Sequence, residues 1–309
     1  MRIKFSYNRL IIICLMFFSC VQLFSQEERK IYKQMIVPFY DLILQKYGYR
    51  DSLLNMVAIP AEYESAFAYC EDRALVKKNG LFGYLNKAGK IQIPLIYQEA
   101  RSFANGLAAV KLEKWGYIDV DGNTAIAMLF DEAKSFQKTE KGLVAFVLSD
   151  GKWGLVDSLG TFPIGFPFEY DEYQSPSIAE DLICAKKNGV WGYFSLSGKE
   201  QIKCAYDVAL PFQENIAAVQ KDGKWGFINK KGKIIIPMLY GIGENEFPIF
   251  HDELLLVTRN GKYGFIDKNG KIVVPFVYDY AENFNKGKAF VRVGNESLFI
   301  DTTGKEILF

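Results

Sequence analysis

The chain has 309 residues, half of them hydrophobic and 24% charged, with a formal net charge of +1. That length is enough for a large buried core, and the balanced charge removes any charge-driven case for nucleic acid or an anionic membrane as partner. With one histidine, His251, and five cysteines at unpatterned spacing, multi-histidine metal sites and a disulfide framework are not expected, nor is any cofactor.

Residues 1–25 read as a signal peptide. Arg2, Lys4 and Arg9 form a basic start, and Leu10 to Phe18 is an unbroken apolar run, too short for a membrane-spanning helix of ~20 residues. Two processing sites compete. Ser25 before Gln26 suits ordinary cleavage, whereas Phe17 to Cys20 resembles a lipobox with Cys20 as the lipid-bearing residue. The apolar stretch Val21–Phe24 differs from the usual polar tether of lipoproteins. Soluble export to the periplasm or beyond is the expectation, with anchoring through Cys20 as the alternative.

Residues 26–60 follow as a degenerate first repeat or N-terminal cap. Glu27–Leu44 carries a pattern compatible with a helix, but Lys46–Asp51 (KYGYRD) already copies a motif that recurs through residues 61–309. In that motif an aromatic residue precedes a glycine: Tyr47-Gly48, Phe82-Gly83, Trp115-Gly116, Trp153-Gly154, Trp191-Gly192, Trp225-Gly226 and Tyr263-Gly264, fading to Ser297-Leu298. From Gly83 onward the spacings are 33, 38, 38, 34, 38 and 34 residues. A fixed period in this range means tandem supersecondary units that bury their faces by stacking.

Each unit is expected to be a three-stranded antiparallel meander. Ile216–Lys221 and Lys224–Ile228 flank Asp222-Gly223, and Asp-Gly or Asn-Gly is the strongest signal for a two-residue hairpin. Asn79-Gly80, Asp150-Gly151, Asn188-Gly189 and Asn260-Gly261 repeat it. A second turn ends at Gly232, and the third strand is expected over Lys233–Ile236, stopped by Pro237. This turn sets Val219 opposite Gly226, with Val76, Val147, Ala185 and Val257 opposite Gly83, Gly154, Gly192 and Gly264. The missing side chain is expected to admit a neighbouring layer. Both faces of the meander are apolar, so it needs covering on both sides. Connectors of the form Pro-x-x-Tyr-Asp-x-Ala-x-x-Phe, as in Pro275 to Phe284, are expected to plug the seams, each aromatic contributing ~1.5–3 kcal/mol when buried.

These runs resemble the bacterial WG-repeat family, named for its Trp-Gly pair, over roughly Ile36 to Phe309. The resemblance implies tandem β-rich repeats in bacterial, often exported, proteins, and no catalytic residues. The fold expected is all-β: about eight three-stranded meanders stacked as an open twisted solenoid, with a closed β-propeller as the alternative. The complete strands at both chain ends favour the open form.

No Walker loop, Ser-containing nucleophile elbow or HExxH motif is present. Asp119–Asn123 (DVDGN) imitates the start of a calcium loop, but Phe130 stands where the bidentate glutamate belongs, so a turn is the better reading. Cys184 and Cys204 lie in apolar strand contexts and read as small core residues. The aromatic stripe could form shallow glycan cages, though core packing suits it better. The three 38-residue spacings carry extra residues at Gln137–Gly142, Gln174–Asp181 and Glu246–Glu253. Per-repeat insertions map to loops on one face, and Ile178, Ile249, Phe250 and His251 are the candidate partner-binding residues. The function expected is an exported, non-enzymatic scaffold that binds a protein partner at the envelope, with a polysaccharide-binding module as the alternative.

Overall fold

The computed structural model describes residues 36–169, 171, 174–243 and 247–308. The leader, with its two processing sites, lies outside the described residues. All regular structure in the described chain is β, arranged as eight antiparallel sheets that each form an open path of neighbouring strands. Ile36–Asp41, within the stretch compatible with a helix, is a strand. Its Pro38 lacks a donor and its neighbours are β-formers, and it pairs along its whole length with Lys46–Asp51.

The Asn-Gly and Asp-Gly loops are the hairpin turns expected of them. Asp222 has φ 50° and Gly223 φ 71°, and the other four pairs repeat this double positive φ. The turn fixes the register: Val219 faces Gly226, Val76 faces Gly83, Ala185 faces Gly192 and Val257 faces Gly264.

Three expectations need correction. The third strand does not stop at Pro237; it runs from Ile234 to Tyr240. It is an edge strand whose proline sits in a bulge, because Trp225 pairs with Tyr240 while Phe227 pairs with Ile236. The bulge also changes the reason for the recurring glycine. A Cβ on Gly226 would meet the Ile236 carbonyl oxygen at 2.5 Å and the Met238 nitrogen at 2.7 Å. What approaches the glycine is the bulged strand of its own sheet, not a neighbouring layer. Third, five of the eight sheets carry more than three strands, mostly because the connector forms a short strand along the first strand of the meander. Glu99–Ala100 pairs with Val110–Lys111, and Val208–Ala209 pairs with Val219–Gln220. Ala66, Ala133 and Ala281 face Val76, Val147 and Val291 in the same way. A row of Ala, Val and Gly therefore crosses the sheet and ends at the bulge. In the last sheet the third strand is reduced to a bridge between Ile300 and Glu306.

The described chain falls into two compact units, one containing the residues up to Asp150 with Gly154–Phe166, the other Gly151–Trp153 with Pro167 onward. Within each, sheets stack in chain order, as in a solenoid. In the first unit, Tyr49, Ile59 and Tyr63 pack on Ala74, Val76 and Leu85 of the second sheet. Tyr84, Ile93 and Tyr97 of that sheet pack on Ala108, Val110 and Ile118 of the third. In the second unit, one face of the sixth sheet (Ala217, Val219, Ile228) meets Tyr193 and Ile202, and the other (Ala218, Phe227, Ile236) meets Leu255, Val257 and Ile266. Both faces of a meander are thus covered by apolar neighbours, as its composition requires.

Candidate functional site

The aromatic of each Trp-Gly-type pair is a packing residue. Trp115, Trp153 and Trp191 are 1–2% exposed. Tyr47, Phe82, Trp225 and Tyr263 are half-buried. Phe82 pairs with Tyr97, Trp191 with Tyr206, Trp225 with Tyr240 and Tyr263 with Tyr278, in each case the aromatic that ends the third strand of the sheet. Arg101 additionally lies over the Trp115 ring, 5.0 Å from its centroid. The buried rings of Trp115, Trp153 and Trp191 are therefore committed to the stack and closed to a shallow glycan cage.

The residue after the glycine joins one repeat to the next. The buried Tyr84, Tyr117 and Tyr193 hydroxyls donate to the carbonyls of Arg101, Lys134 and Leu210, each at 2.7 Å and each in the following connector. Tyr49 does the same to Phe67 at 2.9 Å. The connector phenylalanine sets its ring against the same tyrosine, as in Tyr117 with Phe136 at 4.7 Å and Tyr193 with Phe212 at 4.8 Å. Burial raises the pKa of the Tyr84, Tyr117 and Tyr193 hydroxyls, so these phenols remain protonated donors at physiological pH.

The calcium-like run is a turn. Asp119 Oδ1 accepts from the amides of Asp121 and Asn123, both at 2.9 Å, and Oδ2 accepts from the Asn123 side chain. These bonds, the Asn123 side chain first, hold its carboxyl below the usual carboxylate range. Among the described residues, no group of three or more His, Cys, Asp or Glu is placed to hold a metal ion. Cys184 and Cys204 are free. Burial pushes the Cys204 thiol up to about 11 and the Cys184 thiol further, which leaves both protonated and poorly nucleophilic at neutral pH.

The three insertions differ from one another. Gln137–Thr139 pairs with Gly142–Val144, and Ser177–Ala179 pairs with Leu182–Cys184, so both fold back along the first strand of their own meander. Ile178 faces Ile183 in that pairing and is half-buried, not the exposed side chain its loop composition suggested. In the third insertion Glu246 lies outside the described residues, and the described part alternates. Phe247 and Ile249 are 58% and 50% exposed, while Pro248 is buried. Phe250 turns inward, its ring 5.3 Å from Phe227 within the core between the sixth and seventh sheets. His251 is exposed, and its backbone exchanges hydrogen bonds with Leu254.

The base of this loop is tied down by a device that sequence reasoning missed. Asp252 and Glu253, both at positive φ, form the tight turn into the first strand, and Asp252 Oδ2 accepts from the Gly287 amide of the next repeat at 2.7 Å. Glu71 does the same for Asn105 and Gly106, and Glu180 for Asn215. The signal was present as an acid in the residue pair before the first strand, recurring 35 residues before its target. Also unanticipated are the apolar turns of the first sheet, where Leu42, Ile43 and Leu44 are exposed.

A model of the WG-containing repeat matches residues 47–82, 82–114, 115–153, 153–191, 191–225, 225–241 and 263–296. The chain belongs to the WG-containing repeat family. The first five matches run from one Trp-Gly-type pair to the next, so each spans the residue after the glycine, the connector and the turn into the next first strand. No curated protein matches the chain. Among solved structures, this WG-repeat chain is similar to PorZ of Porphyromonas gingivalis, described as an essential bacterial surface component of the type-IX secretion system, at 10% identity and a TM-score of 0.35. That match covers 80% of this chain and only 37% of PorZ. Hsv2 of Kluyveromyces lactis matches at 10% identity over 75% of this chain and 87% of its own, with a TM-score of 0.40. The extracellular domain of a putative hybrid two-component system of B. thetaiotaomicron matches at 11% identity over 89% and 44%, with a TM-score of 0.33. Superpositions this loose carry no argument about function.

Proposed function

We propose that this WG-repeat protein is an exported, non-enzymatic scaffold that binds a protein partner at the bacterial envelope through a loop departing from the repeat. The observation that carries the reading is the alternation in Phe247–Phe250. Two large apolar side chains point outward, and the two between and after them are anchored in the core. Pro248 and Phe250 hold the backbone that presents Phe247 and Ile249, so the loop loses little entropy on docking, as a protein-binding hot spot requires. The other two insertions fold back onto their own sheets and offer less.

The leader pattern in residues 1–25 supports export, and no helix among the described residues is long and apolar enough to cross a membrane. The polysaccharide alternative is weakened by the burial of Trp115, Trp153 and Trp191. For the partner, crosslinking in the native cell should identify a protein captured by the wild type and lost in a Phe247→Ser, Ile249→Ser variant. Capture retained by that variant would remove the loop from the proposal. For export, N-terminal sequencing of the processed protein should begin near Gln26. A lipid-modified Cys20 would replace free export with anchoring, and an intact Met1 would end the export reading.

A further inference from the structure

The first sheet departs from the others at its hairpin tip, and the departure is apolar. Five later repeats turn at this place through Asn-Gly or Asp-Gly, the last through Gly294-Asn295, and the third sheet through Leu112, Glu113 and Lys114. Here the strands Ile36–Asp41 and Lys46–Asp51 are joined by Leu42, Ile43, Leu44 and Gln45. Leu42 is 83% exposed, Ile43 92% and Leu44 58%. Nothing in the repeat fold asks for three exposed aliphatics, because two-residue polar turns close the same hairpin in six later sheets and the third sheet's turn carries one, Leu112. Three adjacent aliphatic side chains in water are a cost unless something covers them.

We infer that this tip is a lipid-contacting element that dips into the interfacial layer of a bilayer. The apex is convex and purely aliphatic, with no charged side chain among its three outward residues. Two of its amides are satisfied from within: Asp41 Oδ1 accepts from Ile43 and from Leu44, both at 2.9 Å. A loop entering an apolar phase must meet its own backbone donors in this way. Directly behind the apex stand Tyr40, 45% exposed, and Tyr47, with ring centroids 4.9 Å apart. Tyrosine, apolar in body and polar at its tip, suits the headgroup level. Leu42 lies two residue steps beyond Tyr40, roughly 7 Å, which agrees with the ~5–10 Å depth of interfacial insertion. Lys46 lies opposite Asp41 in the register, so the neck carries one charge of each sign.

The occupant is also favoured by the chain outside the described residues. Under the alternative processing, with Cys20 as the lipid-bearing residue, the fifteen residues between Cys20 and Ile36 form a tether of at most about 55 Å that holds this sheet near the bilayer. The inference rests on the export reading for its biological setting, but the physical contact is measured independently of it. A second apolar turn, Leu53, Leu54 and Met56, lies at the other end of strand Lys46–Asp51. That is about 20 Å away along the strand, beyond what a flat bilayer holding the first tip can reach, and it serves as the internal control.

The test uses the protein as processed in its own cell, mixed with vesicles of phosphatidylethanolamine and phosphatidylglycerol carrying brominated acyl chains. In an Ile43→Trp variant the added tryptophan should shift to shorter emission wavelength and lose most of its intensity to the brominated lipid. In a Leu54→Trp variant it should do neither. The difference from wild type isolates each added ring, and unchanged circular dichroism shows that both variants fold. An unquenched Ile43→Trp overturns the inference, as does equal quenching of the two. A blue shift with a purified envelope protein but not with vesicles also overturns it, and makes the tip a protein surface. Export failure would show instead as an intact Met1, whatever the vesicles report.

Discussion

At Gly226 a single missing carbon decides whether the third strand can bulge across the sheet. A Cβ there meets backbone atoms of Ile236 and Met238, which have no rotamer through which to retreat. Gly226→Ala should therefore lower stability by ~1–3 kcal/mol, the range for overpacking, against ~0.5 or less for the exposed Lys231→Ala. Equal urea midpoints for the two would remove the close-approach argument. The tyrosine one position further on in other repeats makes a different prediction. Tyr117→Phe removes the donor to the Lys134 carbonyl while keeping the ring against Phe136. The loss should be about 1–2 kcal/mol, a net hydrogen bond plus part of the cost of an orphaned buried carbonyl. A neutral Tyr117→Phe would mean that the ring alone joins the repeats.

The turn carboxylates belong to the same scale. Bonds from Asn123 and Thr303 first, and from turn amides after them, lower the pKa of Asp119 and Asp301 in the folded protein. Asp131 and Asp279 are lowered mainly by Lys114 and Lys262. Because the folded value lies below the unfolded one, about 3.9 for aspartate, the stabilisation is complete above that pH. It is lost as pH falls through the folded value. The melting temperature should be flat from neutral pH to about pH 5 and fall steadily below pH 4. Asp119→Asn should flatten part of that fall; a variant whose acid limb matches wild type would discount the turn carboxylate.

An element here is a sheet plus the connector that reaches it from the preceding repeat. The connector was legible in the sequence as Tyr-Asp-x-Ala-x-x-Phe, and its aromatics do fill the seams. That it would pair as a strand was not legible, because two residues such as Glu99–Ala100 carry no periodicity of their own. The pairing follows from the alanine, which is small enough to complete the row beside Val110 and Gly116. The proline of the third strand was misleading for a related reason. A prolyl nitrogen ends a ladder in a central strand but not on an edge, and only the sheet order shows that this strand is an edge. The aspartate of the connector ties down the hairpin tip. Asp207 Oδ2 accepts from the Asp222 amide at 2.7 Å, and Asp279 Oδ2 accepts from the Gly294 amide at 2.8 Å.

Within each unit of the molecule, stability is shared between neighbouring sheets, since every core cluster described joins one sheet to the next. Phe136 is such a shared residue, buried with Tyr117 and Ile126 on one side and Val147 on the other. Phe136→Ala should cost ~3–5 kcal/mol, and nearest-neighbour energetics predicts that the damage stays local. Amide exchange should speed up most over Thr124–Phe130 and Gly142–Ser149 and progressively less in more distant sheets. A uniform gain across the chain would indicate global cooperativity in place of neighbour coupling. The exposed side chains of Phe247 and Ile249 and of the tip Leu42–Leu44 lie outside this network of shared cores, so substitutions there should alter binding with little effect on exchange.

The sequence by itself determined the all-β class, the number and phase of the repeats, the hairpin turns and the Val219–Gly226 register. Each of these is encoded locally, by a turn chemistry that demands positive φ or by an alternation of two. Family membership was equally legible, because seven copies of a short pattern repeat the same local signals. Only the tertiary structure decided which apolar side chains are spare. Ile178 and Ile249 look alike in sequence, yet one faces Ile183 across a strand pair and the other faces solvent. Phe250 and Phe247 differ in the same way. Exposure depends on what a neighbouring repeat places opposite a residue, a contact between positions far apart in the chain, and no pattern within one repeat records it.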